Sequence, residues 1–254
     1  MNGRLLPAEA LDVRVHESFK ARPTERAANI PLDELRRRPY ELPPANVAVG
    51  ISDTGLEANE AALVLNRMGR KGQLVLARSV EPHADIYRLW RATSLLDVAE
   101  TAPPGRALCL ACGAGREAVV LAAAGWQVVA VDVLPDAIER GRQLEKAYLP
   151  VGAPAIQWLV ADLRQPLPEE LGDFELVTQF FFSDTDTVAR ISRHMGAGGL
   201  ALLESFSERH WRLLGRSRPE RILRPQDWAA SYDVSATEGL HDERQTTRIV
   251  VRKA

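Results

Sequence analysis

A glycine turn between two apolar strands constrains this chain more than any other feature. The run Ala107–Ala111 has the small and apolar residues of a strand buried on both faces of a parallel sheet. CGAG follows at residues 112–115, where glycines let the backbone turn sharply and let a ligand approach its amides. A helical pattern then runs from Arg116 to Gly125, and a second buried strand, Gln127–Val131, ends at Asp132. This order predicts a βαβ unit of the dinucleotide-binding type.

Two details of the turn refine this prediction. It has two of the three glycines of the dinucleotide fingerprint, with Ala111 in place of the first. Asp132 lies about 17 residues beyond Gly115, close to the spacing of about 20 for an acid that accepts ribose hydroxyls. A third strand, Ile156–Val160, leads to another acid at Asp162. Nicotinamide-dependent oxidoreductases use the same βαβ unit. The missing first glycine and the acid at Asp162 both count against that class here.

Composition is that of an ordinary soluble globular protein. The 254 residues are 46% hydrophobic and 26% charged with a net charge of −2, enough chain for one large or two small domains. No overall basic excess favours nucleic acid as a partner. The first residues have no apolar core of signal-peptide length, and no run of 18 apolar residues occurs. We therefore expect no membrane partner and a cytoplasmic location; the oligomeric state stays open.

Several segments of the second half resemble the class I S-adenosylmethionine-dependent methyltransferases. The matching segments are LACGAGR, VVAVD and VADL, followed by DFELVTQF and GAGGLALLESF as the fourth and fifth strands. The resemblance implies an α/β fold with a Rossmann-like seven-stranded sheet over residues 105–254, closed by an antiparallel pair at Tyr232–Glu238 and Thr246–Arg252. It also implies methyl transfer from S-adenosylmethionine. GRSRPERILRP, with LACGAGREAVVLA, resembles the tellurite-resistance and thiopurine-type branch.

The resemblance implies roles for the motif residues. The backbone of the glycine turn would hold the methionine part of the cofactor, and Asp132 would bind the ribose hydroxyls. Asp162 would accept a hydrogen bond from the adenine amino group. Val133 would line the adenine, and Leu163 would pack on its ring. Gln179 would face the methyl-donor end. The implied cofactor-binding set is Ala111, Cys112, Gly113, Gly115, Asp132, Val133, Asp162, Leu163 and Gln179.

The acceptor pocket is expected at the carboxyl end of the fourth strand, because ligands of open α/β sheets bind there. Its candidates are Gln179, Phe181, Phe182 and His210. No Ser-His-Asp or paired-carboxylate constellation occurs, and orientation of an activated donor makes one unnecessary. If a base is required, His194 and His210 are the nearby histidines, and no catalytic residue is assigned. We expect a small-molecule acceptor that is a soft nucleophile or an oxyanion: a thiol, selenium or tellurium species. The arginines within Glu208–Trp228 have two interpretations. They form either a charged face exposed to solvent or a lid that binds an anionic substrate.

The two cysteines, Cys109 and Cys112, form a C-x-x-C sequence. A redox motif requires a thioredoxin-like fold, and a zinc site requires a second ligand pair that the sequence lacks. We interpret both thiols as packing elements and expect no metal. Class I methyltransferases usually have an acid where Cys109 stands. Its absence leaves open a non-catalytic binding or regulatory fusion of two relic domains.

The first part of the chain resembles a rhodanese-like domain in LDVR, NIPLDEL and VAVGISDTGLEANEAALVLNRMG. The resemblance covers about Leu5–Val80 and implies a small α/β module over residues 1–81, short at its start. A strand is predicted at residues 46–51 and a helix at about residues 56–68, joined by the loop Ser52–Gly55. In active sulfurtransferases the equivalent loop begins with a nucleophilic cysteine, which falls here on Ser52, or on Ile51 if the loop is one residue longer. A hydroxyl is a far weaker nucleophile than a thiolate, so the module is expected to be catalytically dead. Its Ser52–Gly55 loop is a candidate anion site, and an interaction or stabilising module is the alternative.

A linker helix is predicted between the two domains, over residues 82–104. Prolines bracket the segment, and an apolar stripe at helical spacing runs through the range from Ala84 to Glu100. Trp90 is expected to pack in a core rather than to serve in a lid.

Overall fold

The computed structural model describes residues 5–52, 57–82, 86–214, 221–241 and 244–253. The chain divides into two compact units, Met1–Ala92 and Thr93–Ala254. The segment predicted as a linker, residues 82–104, is thus shared between the two units. Within the described ranges, no helix is long and apolar enough to cross a bilayer.

The first unit is built on a four-stranded parallel sheet in the order β2-β1-β3-β4. The predicted strand and helix on either side of the Ser52 loop are confirmed, whereas β2 and α1 were not predicted. Ser52 closes β3 and is 2% exposed. The rest of its loop, residues 53–56, lies outside the described residues. The elements are β1 (Ala10–Asp12), α1 (His16–Ala21), β2 (Ala27–Asn29), β3 (Val49–Ser52), α2 (Ala58–Arg67) and β4 (Gly72–Val75).

A buried carboxylate lies at the end of the first unit's central strand, at Asp12. The Arg14 guanidinium donates to both carboxylate oxygens of Asp12, with a closest distance of 2.6 Å. The Thr24 hydroxyl donates to the same carboxylate. Because a buried charge is costly unless it is paired, this network explains the polar residues of the LDVR segment by structure alone.

The helix predicted from Ala84 to Glu100 is wrong over most of its length. Residues 86–92 are not helical, and only α3, Leu96–Thr101, forms; Ala84 lies outside the described residues. Ile86 and Trp90 are buried in the first unit's apolar clusters. The Leu89 N–H donates to the carbonyl of Leu6. Tertiary packing therefore buries the apolar stripe without a helix.

The second unit is organised around a seven-stranded mixed sheet in the order β10-β11-β9-β8-β5-β6-β7. Strands β5 to β9 pair in parallel, and β11 pairs antiparallel with both β9 and β10. This α/β arrangement agrees with the predicted Rossmann-like sheet and its antiparallel closing pair. The strands are β5 (Arg106–Leu110), β6 (Gln127–Asp132), β7 (Gln157–Val160), β8 (Phe174–Phe180), β9 (Met195–Phe206), β10 (Asp233–His241) and β11 (Arg244–Arg252).

Helices connect the parallel strands and cover the sheet's apolar faces. After β5 the chain moves outward through β6 and β7, then returns to place β8 on the other side of β5. The crevice at the carboxyl ends of β5 and β8 is the topological switch point where such sheets bind ligands. The helices are α4 (Arg116–Ala123), α5 (Pro135–Tyr148), α6 (Thr187–His194), α7 (Glu208–Leu213) and α8 (Gln226–Ala229).

Candidate active site

A cavity of about 400 Å³ lies at the carboxyl ends of β5, β6, β7 and β8. This volume is within the range of about 300–1,000 Å³ that is typical of small-molecule sites. Its walls come from the turn after β5, from the ends of the three other strands and the loops after them, and from Arg221. The lining residues are Ala111, Asp132, Val133, Asp162, Leu163, Arg164, Phe182, Ser183, Asp184 and Arg221.

The turn after β5 has a left-handed backbone at three positions. The φ angles are 49° at Ala111, 55° at Gly113 and 71° at Gly115. A Cβ atom at Gly113 would meet nothing within 4 Å, whereas one at Gly115 would lie 2.3 Å from the Trp158 ring. Gly113 therefore has open space on the side where a Cβ atom would stand. Gly115 is required by the packing of Trp158.

Asp132 joins the end of β6 to the glycine turn. Its Oδ2 accepts from the Gly113 N–H at 2.8 Å, and its Oδ1 accepts from the Leu134 N–H at 3.0 Å. The residue is 8% exposed and lines the cavity. A carboxylate has about four acceptor sites, so each oxygen retains capacity for a ligand hydroxyl.

Asp162 lies at the cavity rim, at the end of β7. The guanidinium of Arg164 donates to both of its carboxylate oxygens, at 3.0 Å and 2.6 Å. These hydrogen bonds lower the pKa of Asp162 to about 2. The carboxylate is therefore ionised at any physiological pH and acts only as an acceptor. Leu163 and Val133 add apolar surface to the same cavity, which suits a planar ring.

The opposite wall is the loop after β8, residues 181–186. Gln179, 1% exposed, lies beneath this loop rather than among the lining residues. Its Nε2 donates to the Phe182 carbonyl at 3.1 Å and to Thr187 Oγ1 at 3.2 Å. Its role in the structure is therefore to hold the loop.

Phe181 and Phe182 point to different places. Phe182 lines the cavity. Phe181 has a left-handed φ of 57°, and its ring centroid lies 4.0 Å from that of His241 in a separate aromatic cluster. The N–H of Phe181 donates to the Glu204 carbonyl at 2.6 Å, which fixes this strained backbone at the end of β8.

A comparison with protein families matches the part of the chain that forms most of this cavity. Residues 107–199 match the family model described as "Methyltransferase domain". The chain carries a methyltransferase domain. S-adenosylmethionine is its cofactor, and the open face of Gly113, the acceptor sites of Asp132 and the apolar cavity surface all fit that molecule. The enzyme class and the cofactor predicted from the motifs are confirmed. A comparison with curated proteins finds no sequence match.

Solved structures of similar shape include several methyltransferases. The N-methyltransferase NodS from Bradyrhizobium japonicum WM9 is 18% identical and has a TM-score of 0.49; the match covers 63% of this chain and 92% of that one. TehB from Haemophilus influenzae is 16% identical with a TM-score of 0.48, over 63% and 61%. Magnesium protoporphyrin IX methyltransferase (ChlM) from Synechocystis PCC 6803, with bound SAH, is 14% identical with a TM-score of 0.48, over 63% and 78%.

The two histidines lie away from the cavity of the methyltransferase domain. His194 packs edge-on against Phe174, the first residue of β8, at the end of the sheet opposite the cavity, which is a structural position. His210 is buried between the rings of Phe206 and Trp211 and is not among the lining residues. Burial and the nearby Arg244 lower the pKa of His210, which leaves the ring neutral near pH 7.

Cys109 is a buried packing element, whereas Cys112 is half-buried. Cys109 lies in the central strand β5, 2% exposed and opposite Thr178 of β8. Burial raises the pKa of Cys109 to about 12, and it also raises the pKa of Cys112. Both thiols are free and protonated at neutral pH. Neither is therefore activated for redox exchange or for metal binding.

Sequence reasoning missed part of the cavity wall. Arg164, Ser183 and Asp184 line it. Arg164 and Ser183 directly follow Leu163 and Phe182, which the sequence did single out, and Asp184 comes one residue later. Arg221, from the predicted arginine lid, also reaches the cavity, whereas Arg212 and Arg224 line a different one. Two other lid arginines, at positions 216 and 218, lie outside the described residues.

Proposed function

We propose that the second unit transfers the methyl group of S-adenosylmethionine to a small-molecule nucleophile at this cavity. The observation that carries the proposal is the pairing of Asp132 with the open face of Gly113. Asp132 accepts the cofactor's ribose hydroxyls, while Val133 and Leu163 cover the adenine. The cofactor supplies a methyl group already activated on a sulfonium. The protein therefore needs to orient the two reactants, a contribution of about 7–11 kcal/mol in well-oriented systems.

We propose that the acceptor is a soft nucleophile or an oxyanion. Asp162 holds the guanidinium of Arg164, whereas Arg221 has no carboxylate partner among the described residues at the same cavity. A cation left in this position favours a thiolate or a selenium or tellurium oxyanion. Such acceptors are nucleophilic without a general base, which agrees with the placement of both histidines away from the cavity. The GRSRPERILRP segment supports assignment to the tellurite-resistance and thiopurine-type branch.

We propose that the first unit is a degenerate rhodanese-like module, over residues 1–81, that stabilises the protein or binds a partner. Ser52 at the end of β3 supports this, because it stands where a sulfurtransferase has its nucleophile. The purified protein should release no thiocyanate from thiosulfate and cyanide. Thiocyanate release would contradict the proposal. We also propose a cytoplasmic location for the whole protein.

A direct assay tests the proposed reaction. The protein is incubated with S-adenosylmethionine and, in separate reactions, a thiol, selenite or tellurite, and S-adenosylhomocysteine is measured by mass spectrometry. Product formation with at least one acceptor, and its loss in Asp132→Ala, is the expected result. If the cofactor binds and none of these acceptors reacts, the proposed acceptor class is wrong. Oxidation of a reduced nicotinamide cofactor would instead favour the oxidoreductase alternative.

A further inference from the structure

Two walls of the cavity stand far apart in the sheet. The loop after β7 supplies Leu163, and the loop after β8 supplies Phe182 and Asp184. Strands β5 and β6 lie between β7 and β8, so the two loops start about 14 Å apart at ordinary strand spacing. The ladder hydrogen bonds of the sheet fix the strands, but they do not fix the separation of the loops beyond the strand ends.

Beyond the strand ends the two loops approach each other closely enough for Arg190 of α6 to bond to both. Its Nε donates to the Leu163 carbonyl at 2.9 Å, and its Nη2 donates to Asp184 Oδ2 at 2.7 Å. The guanidinium also lies 5.9 Å from the centre of the Phe182 ring. One rigid, planar group therefore contacts both walls of the cavity.

The burial of Arg190 marks it as more than a surface ion pair. The residue is 7% exposed, and within the described ranges its Nη1 has no hydrogen-bond partner. Burying a guanidinium is costly, so its retention here calls for a role that an apolar side chain does not fill. A fork that holds two acceptors at a fixed separation is such a role, and lysine, with a single ammonium group, does not reproduce it.

The loop after β8 has a second set of anchors on the same side. Thr187 Oγ1 accepts from the Asp184 N–H at 3.0 Å and donates to Asp184 Oδ1 at 3.1 Å. Gln179 holds the same hydroxyl and the Phe182 carbonyl. Asp184 is therefore fixed in its own loop. Arg190, bonded to both Asp184 and Leu163, then fixes Leu163 relative to that loop.

We propose that Arg190 is a positioning residue that sets the width of the cofactor cavity by clamping Leu163 to Asp184, a role that rests on the proposed function. It does not touch the reacting atoms. Removal of the Arg190 side chain should raise the KM for the cofactor and weaken cofactor binding, because the two loops are no longer held together. Removal of a purely structural arginine would lower the stability of the protein alone.

The test compares Arg190→Met with Arg106→Met. Arg106 is a matched control because it also donates to two carbonyls, those of Asp173 and Leu171, and lies over an aromatic ring, but at the start of β5. Calorimetric titration with S-adenosylhomocysteine measures affinity, and hydrogen exchange of residues 161–165 and 181–186 measures loop order. We expect Arg190→Met to bind about 10- to 100-fold more weakly, with faster exchange in both loops. Arg106→Met should keep its affinity within about twofold.

Arg190→Lys keeps the test decisive if Arg190→Met fails to fold. Lysine retains the charge beside Asp184 and cannot bond both acceptors, so its affinity should fall between those of the wild type and Arg190→Met. Wild-type affinity in either variant, or an equal loss in Arg106→Met, would overturn the clamp alone. No binding by the wild-type protein would overturn the proposed function, and the clamp with it.

Discussion

The glycine-turn wall of the cavity and the wall formed by the loop after β8 are built in different ways. The glycine-turn wall comes from one continuous βαβ segment, where Asp132 is hydrogen-bonded to the backbone of Gly113, 19 positions earlier in the chain. The β8-loop wall, residues 181–186, depends on side chains of α6 and on a bond to the loop after β7. The first wall is specified by local sequence, and the second by tertiary contacts.

One wall therefore determines which groups the cavity recognises, and the other determines how wide the cavity is. The glycine-turn wall supplies the backbone opening and the carboxylate that suit a ribosyl cofactor. The β8-loop wall supplies Phe182 and the bonds that fix how far the cavity opens. Substitutions in the first wall should therefore remove cofactor recognition. Those in the second should weaken it by degrees.

The largest effect is expected for Asp132→Ala. The variant loses the acceptor for ribose hydroxyls and leaves the N–H groups of Gly113 and Leu134 without their partner. Hydrogen bonds to a charged group contribute about 1.5–3 kcal/mol each, so affinity for S-adenosylhomocysteine should fall about 100-fold or more. Asp132→Asn, which keeps the shape and one acceptor oxygen, should lose roughly tenfold less. Wild-type affinity in Asp132→Ala, measured by calorimetry, would refute the ribose assignment.

Two glycines of the same wall should respond in opposite ways. Gly115→Ala places a Cβ against the Trp158 ring, which Glu145 holds through the indole N–H at 2.7 Å. Its free energy of unfolding should fall by about 2–5 kcal/mol, from crowding added to the left-handed backbone. Gly113→Ala meets open space and should cost only about 1–2 kcal/mol, but its methyl group intrudes on the ligand.

Urea unfolding and calorimetric titration distinguish these two variants. Gly113→Ala should bind S-adenosylhomocysteine at least about tenfold more weakly, equivalent to about 1.4 kcal/mol, while it remains folded. A larger loss of stability in Gly113→Ala than in Gly115→Ala would show that the open face is misassigned.

The β8-loop wall should give a smaller effect with Thr187→Val. The substitution keeps the side-chain shape and removes the hydroxyl that bonds Gln179 and the Asp184 backbone. The free energy of unfolding should fall by about 1–3 kcal/mol, and cofactor affinity by about three- to tenfold. Thr101→Val is the control, because its exposed hydroxyl bonds the Val98 carbonyl within α3. If the two variants bind the cofactor equally well, the loop anchors do not shape the cavity.

The smallest effect on binding is expected for Cys109→Ala, which should change cofactor affinity at pH 7 by less than about twofold. The substitution should instead change how the free energy of unfolding depends on pH at high pH. The thiol has a pKa of about 12 in the folded protein and about 8.5 when unfolded, so the folded state keeps a proton that the unfolded state loses. Its contribution to stability is present below about pH 8.5 and is lost as the pH rises toward 12.

Urea unfolding at about pH 8 and about pH 10 checks this expectation. The wild type should lose more free energy of unfolding over that interval than Cys109→Ala does. An equal loss in both proteins would show that the Cys109 thiol ionises normally when folded.

The sequence predicts the glycine-turn wall because each of its elements has a local signal. The apolar runs, the two glycines and the acid after β6 lie within one segment, and Asp162 follows the next strand by the same rule. The Trp158 contact that requires Gly115 is not local, and it emerges only when β7 pairs with β6.

The β8-loop wall could not be predicted in the same way. Arg190 sits on an amphipathic helix where an arginine ordinarily faces solvent, and nothing beside it in sequence indicates Leu163, 27 residues earlier. Phe181 and Phe182 are adjacent and apolar, yet the left-handed backbone at Phe181 sends their rings to different clusters. The apolar residues around Trp90 are the opposite case. Their spacing is that of a helix, yet tertiary packing buries them in a segment that is not helical.

The most direct test of the central claim is calorimetric titration of the wild-type protein and of Asp132→Ala with S-adenosylhomocysteine, with a reduced nicotinamide cofactor as the competing ligand. Binding of S-adenosylhomocysteine at about micromolar Kd by the wild type, its loss in Asp132→Ala and no binding of the nicotinamide cofactor is the result expected for this cavity. Binding of the nicotinamide cofactor, or of neither ligand, would contradict the assignment of the cavity to methyl transfer.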